Sequence, residues 1–200
     1  MFKILTVRDE VRVKPKFFNE DIEDAIRDSL KEQVEGKLDP EIGVFLAVTK
    51  IIEYGEGTIK PEDPSVHYSA TFEILTFVPE DQEVVYGPVV DIAEFGAFVR
   101  VGPLDGLVHT SQIMGDRVSY DQKNSILTGK KLGRKLEEGD VVRARIVSIS
   151  LGKARTKIGL TMRQPLMGSI GWIDIDKKRM KSGKKEEKGE RPSREGKGRK

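Results

Sequence analysis

From Gly87 to Ile113 the chain reads GPVVDIAEFGAFVRVGPLDGLVHTSQI. β-Branched residues recur here between glycines with no helical period, which marks Val84–Ile92, Gly96–Val101 and Gly106–His109 as short strands. Two further runs of the same texture, Val141–Ser150 and Thr156–Met162, lie beyond the polar stretch 115–138. Five short strands with glycine corners predict a small closed or nearly closed all-β barrel. The stretch 115–138 reads as a long insertion holding the basic patch Lys130-Lys131-Leu132-Gly133-Arg134-Lys135. Gly96 permits a sharp bend between two strands, so Phe95 and Phe98 can both lie on the outer barrel face, one of them partly buried. Exposed aromatics on a strand stack unpaired bases, each stack contributing roughly 1–3 kcal/mol. His109 on the neighbouring strand adds stacking or a hydrogen bond, and Arg143, Arg145, Arg155 and Lys157 are the candidate phosphate contacts.

Upstream, Pro79 and Glu80-Asp81-Gln82-Glu83 mark a junction, and residues 1–80 read as an α+β unit. Phe2, Ile4, Val7, Val11 and Val13 alternate with charges in a first strand, interrupted near Arg8–Asp9 and ending at Pro15. A helix follows over Asn19–Gly36. Asn19 is the expected N-cap, and Glu20, Asp21 and Glu23 sit at the positive end of the dipole. Ile22, Ala25, Ile26, Leu30 and Val34 form one apolar face, and Gly36 with Pro40 stops the helix. Ile42–Ile52 and Tyr68–Val78 are strand-like, joined by a loop of turn-forming residues from Gly55 to Pro64. From Lys177 the chain is almost wholly polar, with Met180 its only apolar residue. It cannot bury enough surface to offset about 1–2 kcal/mol of backbone entropy per ordered residue, so 176–200 is expected to be a disordered basic tail.

The net charge of +2 over 200 residues hides a gradient. Residues 1–80 hold 10 Lys/Arg against 17 Asp/Glu (−7), residues 81–175 hold 13 against 11 (+2), and residues 176–200 hold 12 against 5 (+7). Three units with different partners are implied: 1–80, 81–175 and 176–200. No apolar run approaches the roughly 18 residues of a membrane span, and the charged N-terminus argues against a signal peptide, so a cytosolic, non-membrane protein is expected. The absence of cysteine excludes disulfides, thiolate metal sites and cysteine nucleophiles. His67 and His109 are the only histidines, and neither stands in a recognisable catalytic arrangement. His109-Thr110-Ser111 offers a base near a hydroxyl, but neighbouring strand residues point to opposite faces. Asp174 and Asp176 share a face only if strand-like, and two carboxylates make a poor metal site. Neither catalysis, metal nor cofactor is expected.

Residues 84–113, the turn Glu138-Gly139-Asp140-Val141-Val142 and the closing Ile158-Gly159-Leu160-Thr161-Met162-Arg163-Gln164 resemble the ribosomal S-one-type OB-fold RNA-binding domain. With the Met-Phe-Lys-Ile start, the Asn19–Gly36 helix, Gly55-x-Gly57-x-Ile59-x-Pro61 and Tyr68-x-Ala-x-Phe72, the chain as far as Trp172 resembles the larger stalk subunits of archaeal RNA polymerases. That resemblance implies a truncated ribonucleoprotein-like tip domain over 1–80 that plugs into the polymerase core through Gly55, Gly57, Ile59 and Pro61. It implies an OB domain over 81–175 that binds nascent single-stranded RNA through Phe95, Phe98 and His109, and heterodimerisation with the smaller stalk subunit of the polymerase. The expected role is noncatalytic support of initiation, processivity and termination. The alternative is an accessory protein of RNA degradation, as in an exosome cap, or of translation initiation, built on the same OB domain. The family continues the loop with a glycine-rich turn where this chain has Glu62-Asp63-Pro64-Ser65.

Overall fold

The computed structural model describes residues 1–131, 133–152 and 156–178. The chain divides into two units. The first comprises Met1–Glu83 with Gly102–Asp105 and Ile146–Gly159, and the second Val84–Val101, Gly106–Arg145 and Leu160–Lys200.

In the first unit, β1 (Phe2–Val13) leads through a 3-10 turn at Pro15–Phe17 into α1 (Ile22–Val34), then β2 (Leu38–Asp39), β3 (Gly43–Tyr54), β4 (Thr58–Ile59) and β5 (Val66–Phe77). The antiparallel sheet runs β1-β5-β3-β2, with β4 also on β5. β1 is unbroken. It pairs with β5 from Phe2↔Phe77 to Val13↔Val66, so Arg8 and Asp9 do not interrupt it. Strict alternation therefore sends Val7, Val11 and Val13 to one face and Phe2 and Ile4 to the other. On the first face Val11, Val13, Ala70, Phe72 and Ile74 pack with Ala25, Ile26 and Leu30 of α1. Burying a side chain such as Phe72 contributes about 1.5–3 kcal/mol. The helix begins later than Asn19: Asp21 is the N-cap residue, without a side-chain capping bond, because the Pro15–Phe17 turn occupies the approach. Gly36, at φ +76°, ends it as expected.

The remaining strands begin with β6 (Val84–Ala93), β7 (Gly96–Val101) and β8 (Leu104–His109), after which a short helix, α2 (Thr110–Ile113), follows. The stretch 115–138 is more structured than its polarity suggests. Its strands β9 (Val118–Asp121), β10 (Ile126–Gly129) and β11 (Lys135–Leu136) form a separate sheet in the order β11-β10-β9. Leu127 and Leu136 are fully buried beneath it. Beyond it come β12 (Val141–Leu151), β13 (Thr156–Thr161) and the short β14 (Gly168–Ser169), which pairs with β12. The larger sheet runs β13-β8-β7-β6-β12-β14, and the β13–β12 pairing closes five of these strands into a barrel.

Residues 170–178 are helical. Asp174 and Asp176 lie on this helix, where residues two apart do not share a face. Asp176 is bonded to Arg134 at 2.5 Å, and the Arg134 guanidinium lies 5.6 Å from the centre of the Trp172 ring. The rest of the basic tail lies outside the described residues, among which no helix is long and apolar enough to cross a membrane.

Candidate nucleic-acid interface

The β6–β7 hairpin builds the aromatic face. Its register pairs Asp91 with Phe98, Ile92 with Ala97 and Ala93 with Gly96, leaving Glu94 and Phe95 in the turn. Ile92, Ala97, Val99 and Val101 are buried inside the barrel, so alternation places Phe98 outside. Phe95 is 51% exposed and Phe98 half-buried. Their rings meet edge to face, with centroids 6.0 Å apart at 90°. One open ring braced by a second, partly covered one matches the sequence expectation. Gly96 works differently from its predicted role. A Cβ there would lie 2.3 Å from the Val108 carbonyl oxygen, so the residue permits close approach of β7 to β8 rather than a bend.

His109 ends β8 directly beside this pair, since the Thr110 N–H donates to the Phe95 carbonyl at 3.0 Å. The exposed ring caps α2: its Nδ1 accepts from the Ser111 N–H at 3.3 Å and lies 2.9 Å from the Ser111 hydroxyl. The strand stops at His109 and α2 begins at Thr110, so strand alternation does not set where Ser111 points. The contact is nonetheless a helix cap, and it assigns the proton of the neutral ring to Nε2, a hydrogen-bond donor at the surface.

Two of the proposed phosphate contacts, Arg143 and Arg145, stand away from these rings along the strand. Arg143 and Arg145 lie on β12, where they oppose Tyr86 and Val84 of β6. Tyr86 precedes the Phe98-paired Asp91 by five residues, on the order of 16 Å of strand rise. Arg143 donates to the Tyr86 hydroxyl at 3.1 Å and to the Leu166 carbonyl, and its guanidinium lies 5.7 Å from the Tyr86 ring centre. It is engaged in holding the surface of its own unit. Lys157 is exposed on β13, and Arg155 lies outside the described residues. Tyr86, 59% exposed, is a residue that the sequence did not single out. Strand alternation in Val84–Ile92 places it outside, but only the β12 register shows the arginine against it.

The loop Gly55–Pro61 is partly a strand, because Thr58 and Ile59 pair with His67 and Val66. Ile59 is 75% exposed. Gly57 lies over Tyr68, where a Cβ would come within 2.8 Å of the ring, so its smallness serves the loop's own packing. Gly55 and Pro61 are exposed, and a Cβ on Gly55 would meet only the Ser69 carbonyl oxygen, at 3.7 Å. Among the described residues no group of three or more His, Asp or Glu side chains could hold a metal ion.

Residues 8–64 match the SHS2 domain found in the N terminus of Rpb7p/Rpc25p/MJ0397, and residues 78–163 match the S1 RNA binding domain. DNA-directed RNA polymerase subunit Rpo7 of Saccharolobus shibatae is 36% identical over 180 residues, covering 89% of this chain and 100% of the relative. The chain belongs to the Rpo7/RPB7 family. Rpo7 of Sulfolobus acidocaldarius is 35% identical over 175 residues, 87% of this chain and 96% of its own length. DNA-directed RNA polymerase II subunit RPB7 of Saccharomyces cerevisiae is 29% identical over 123 residues, 60% of this chain and 71% of its own. The Rpo7/RPB7 likeness thus spans both units, whereas the S1 match alone ends at residue 163.

Proposed function

We propose that the chain is the larger, noncatalytic stalk subunit of a DNA-directed RNA polymerase and holds the emerging transcript on its barrel. Phe95, Phe98 and His109 form the base-contacting surface, residues 1–80 dock to the polymerase core through the loop carrying Ile59, and 81–175 act as the RNA-binding domain. The observation that carries the reading is the exposed Phe95 ring braced edge to face by Phe98 beside the outward His109. Aromatic stacking is tolerant of base identity, which suits a protein that must accept every transcript. The Rpo7 relatives support the assembly, and the S1 match supports the ligand. The smaller stalk subunit is the proposed partner in a heterodimer. Val84, Tyr86, Val141 and Leu166 leave an apolar surface on the second unit that such a partner can cover.

The test is recovery of the intact chain from its cell lysate. Stoichiometric polymerase subunits, including one small partner, are expected. Recovery of ribosomal or exosome subunits in their place overturns the assignment.

A further inference from the structure

His67 of β5 lies on the sheet face away from α1, almost wholly buried between two carboxylates. Its Nδ1 is 2.5 Å from Glu10 Oε1 on β1, and its Nε2 is 2.9 Å from Asp63 Oδ2 in the segment before β5. The register brings these groups together: Arg12 directly opposes His67, and Glu10 is two residues along on the same face. Asp63 Oδ1 also accepts from Arg12 Nη2 at 2.9 Å and from the Ser65 backbone N–H at 3.0 Å. Glu10 is bonded in addition to Lys60. Thr58 Oγ1 donates to the His67 carbonyl at 3.3 Å. The segment carrying Ile59 is therefore tied at both its ends to the same histidine.

An ionised carboxylate only accepts hydrogen bonds, whereas a neutral imidazole has one N–H and one bare nitrogen. Both carboxylates are held ionised. The Ser65 backbone N–H, with His67 and Arg12, keeps Asp63 well below the usual carboxylate range, and the Lys60 hydrogen bond lowers Glu10. A neutral His67 would thus turn one lone pair toward a carboxylate oxygen with no proton between them. The charged groups facing the ring are Glu10 and Arg12 from β1 and Asp63 and Lys60 from the loop.

We propose that His67 is a cationic latch: as an imidazolium it fastens the Gly55–Ser65 segment to β1, and loss of its second proton breaks one tie and loosens the loop. The loop is closed at lower pH and loosened at higher pH. The inference deepens the docking reading, on which its biological consequence rests, since Ile59 is preset for a partner only while the latch is closed.

The test follows the ring nitrogens of His67 and the backbone amides of the loop by NMR in the intact chain, from about pH 5 to about pH 8. Loop amides are expected to shift with the same midpoint as the His67 ring. In His67→Gln the loop's pH response should vanish. Loop amides that ignore the ring, a His67 ring with one bare nitrogen in a closed loop, or a response retained in His67→Gln overturns the proposal. Should that variant unfold, Asp63→Asn serves: its amide can face a bare nitrogen, so the loop should stay closed after the ring loses its proton, and opening with the ring's titration is the contrary result. The readout is the free chain, so failure of the latch leaves docking untouched, and failure of docking leaves the latch intact.

Discussion

Phe95 and Phe98 differ in what they offer a base. Phe95 presents an open face, while Phe98 is half-covered and holds Phe95 by an edge-to-face contact. Phe95→Ala should therefore account for most of the loss, and the double Phe95→Ala, Phe98→Ala variant should weaken single-stranded RNA binding by roughly 1–3 kcal/mol in a fluorescence titration, with an unchanged circular dichroism spectrum. Unchanged affinity would assign both rings to structure alone. Gly96 and Gly55 make a different prediction, about stability. Gly96→Ala forces a Cβ toward the Val108 carbonyl and should cost about 1–3 kcal/mol in urea unfolding, whereas Gly55→Ala, which meets only ordinary contact distances, should be near neutral. Equal effects at the two positions would contradict the close-approach account. These roles were only half legible in the sequence. The F-G-A-F pattern gives the outward rings, but the reason for its glycine is the neighbouring backbone, which no local pattern reveals.

At the scale of elements, the first unit joins an apolar helix face to a sheet whose opposite face carries the ion pairs around His67, and further pairs tie α1 to Lys14 and Lys16 and Glu80 to Lys3. Glu10, Glu32, Asp63 and Glu80 are all held below their ordinary values, first by Lys60, Lys16, the Ser65 backbone N–H and Lys3 respectively. A depressed carboxylate contributes stability that is present above its unfolded pKa, about 4, and lost as pH falls through the folded value. Acid unfolding should therefore set in below about pH 4, and Asp63→Asn should flatten that limb when melting temperature is followed against pH; an unaltered limb would show that the Asp63 contacts contribute nothing. Ile59→Asp on β4 should abolish polymerase docking while sparing RNA binding, read by co-purification beside the RNA titration. Loss of both would make the loop structural. Strand positions and the helix face were readable because period and parity are local properties. β4, the small sheet over 118–136 and the helix at 170–178 were not, because each depends on distant pairing: Ile59 on Val66, Leu127 on Leu136, Asp176 on Arg134. The same reason hid the capture of Arg143 by Tyr86 and Leu166, since the sequence shows only a basic strand.

For the whole molecule the charge gradient matters more than the net +2. An acidic front at −7 repels nucleic acid and suits basic protein surfaces, while a mildly basic middle fits the proposed RNA binding and would make it weak and salt-sensitive. If Z basic groups meet phosphates, log K should fall with log salt at a slope of about −0.7Z, and Arg143 should add little to Z because it is already engaged. A slope that drops by a full contact in Arg143→Gln would restore that residue to the RNA path. The central proposal is that the transcript meets the aromatic face of a polymerase-bound subunit. The direct measurement is photocrosslinking of nascent RNA to this chain within the assembled polymerase, wild type against Phe95→Ala, Phe98→Ala. The crosslink should fall by about tenfold, the equivalent of about 1.4 kcal/mol, with the subunit still stoichiometric in the complex. An undiminished crosslink from a polymerase that retains the variant would contradict it.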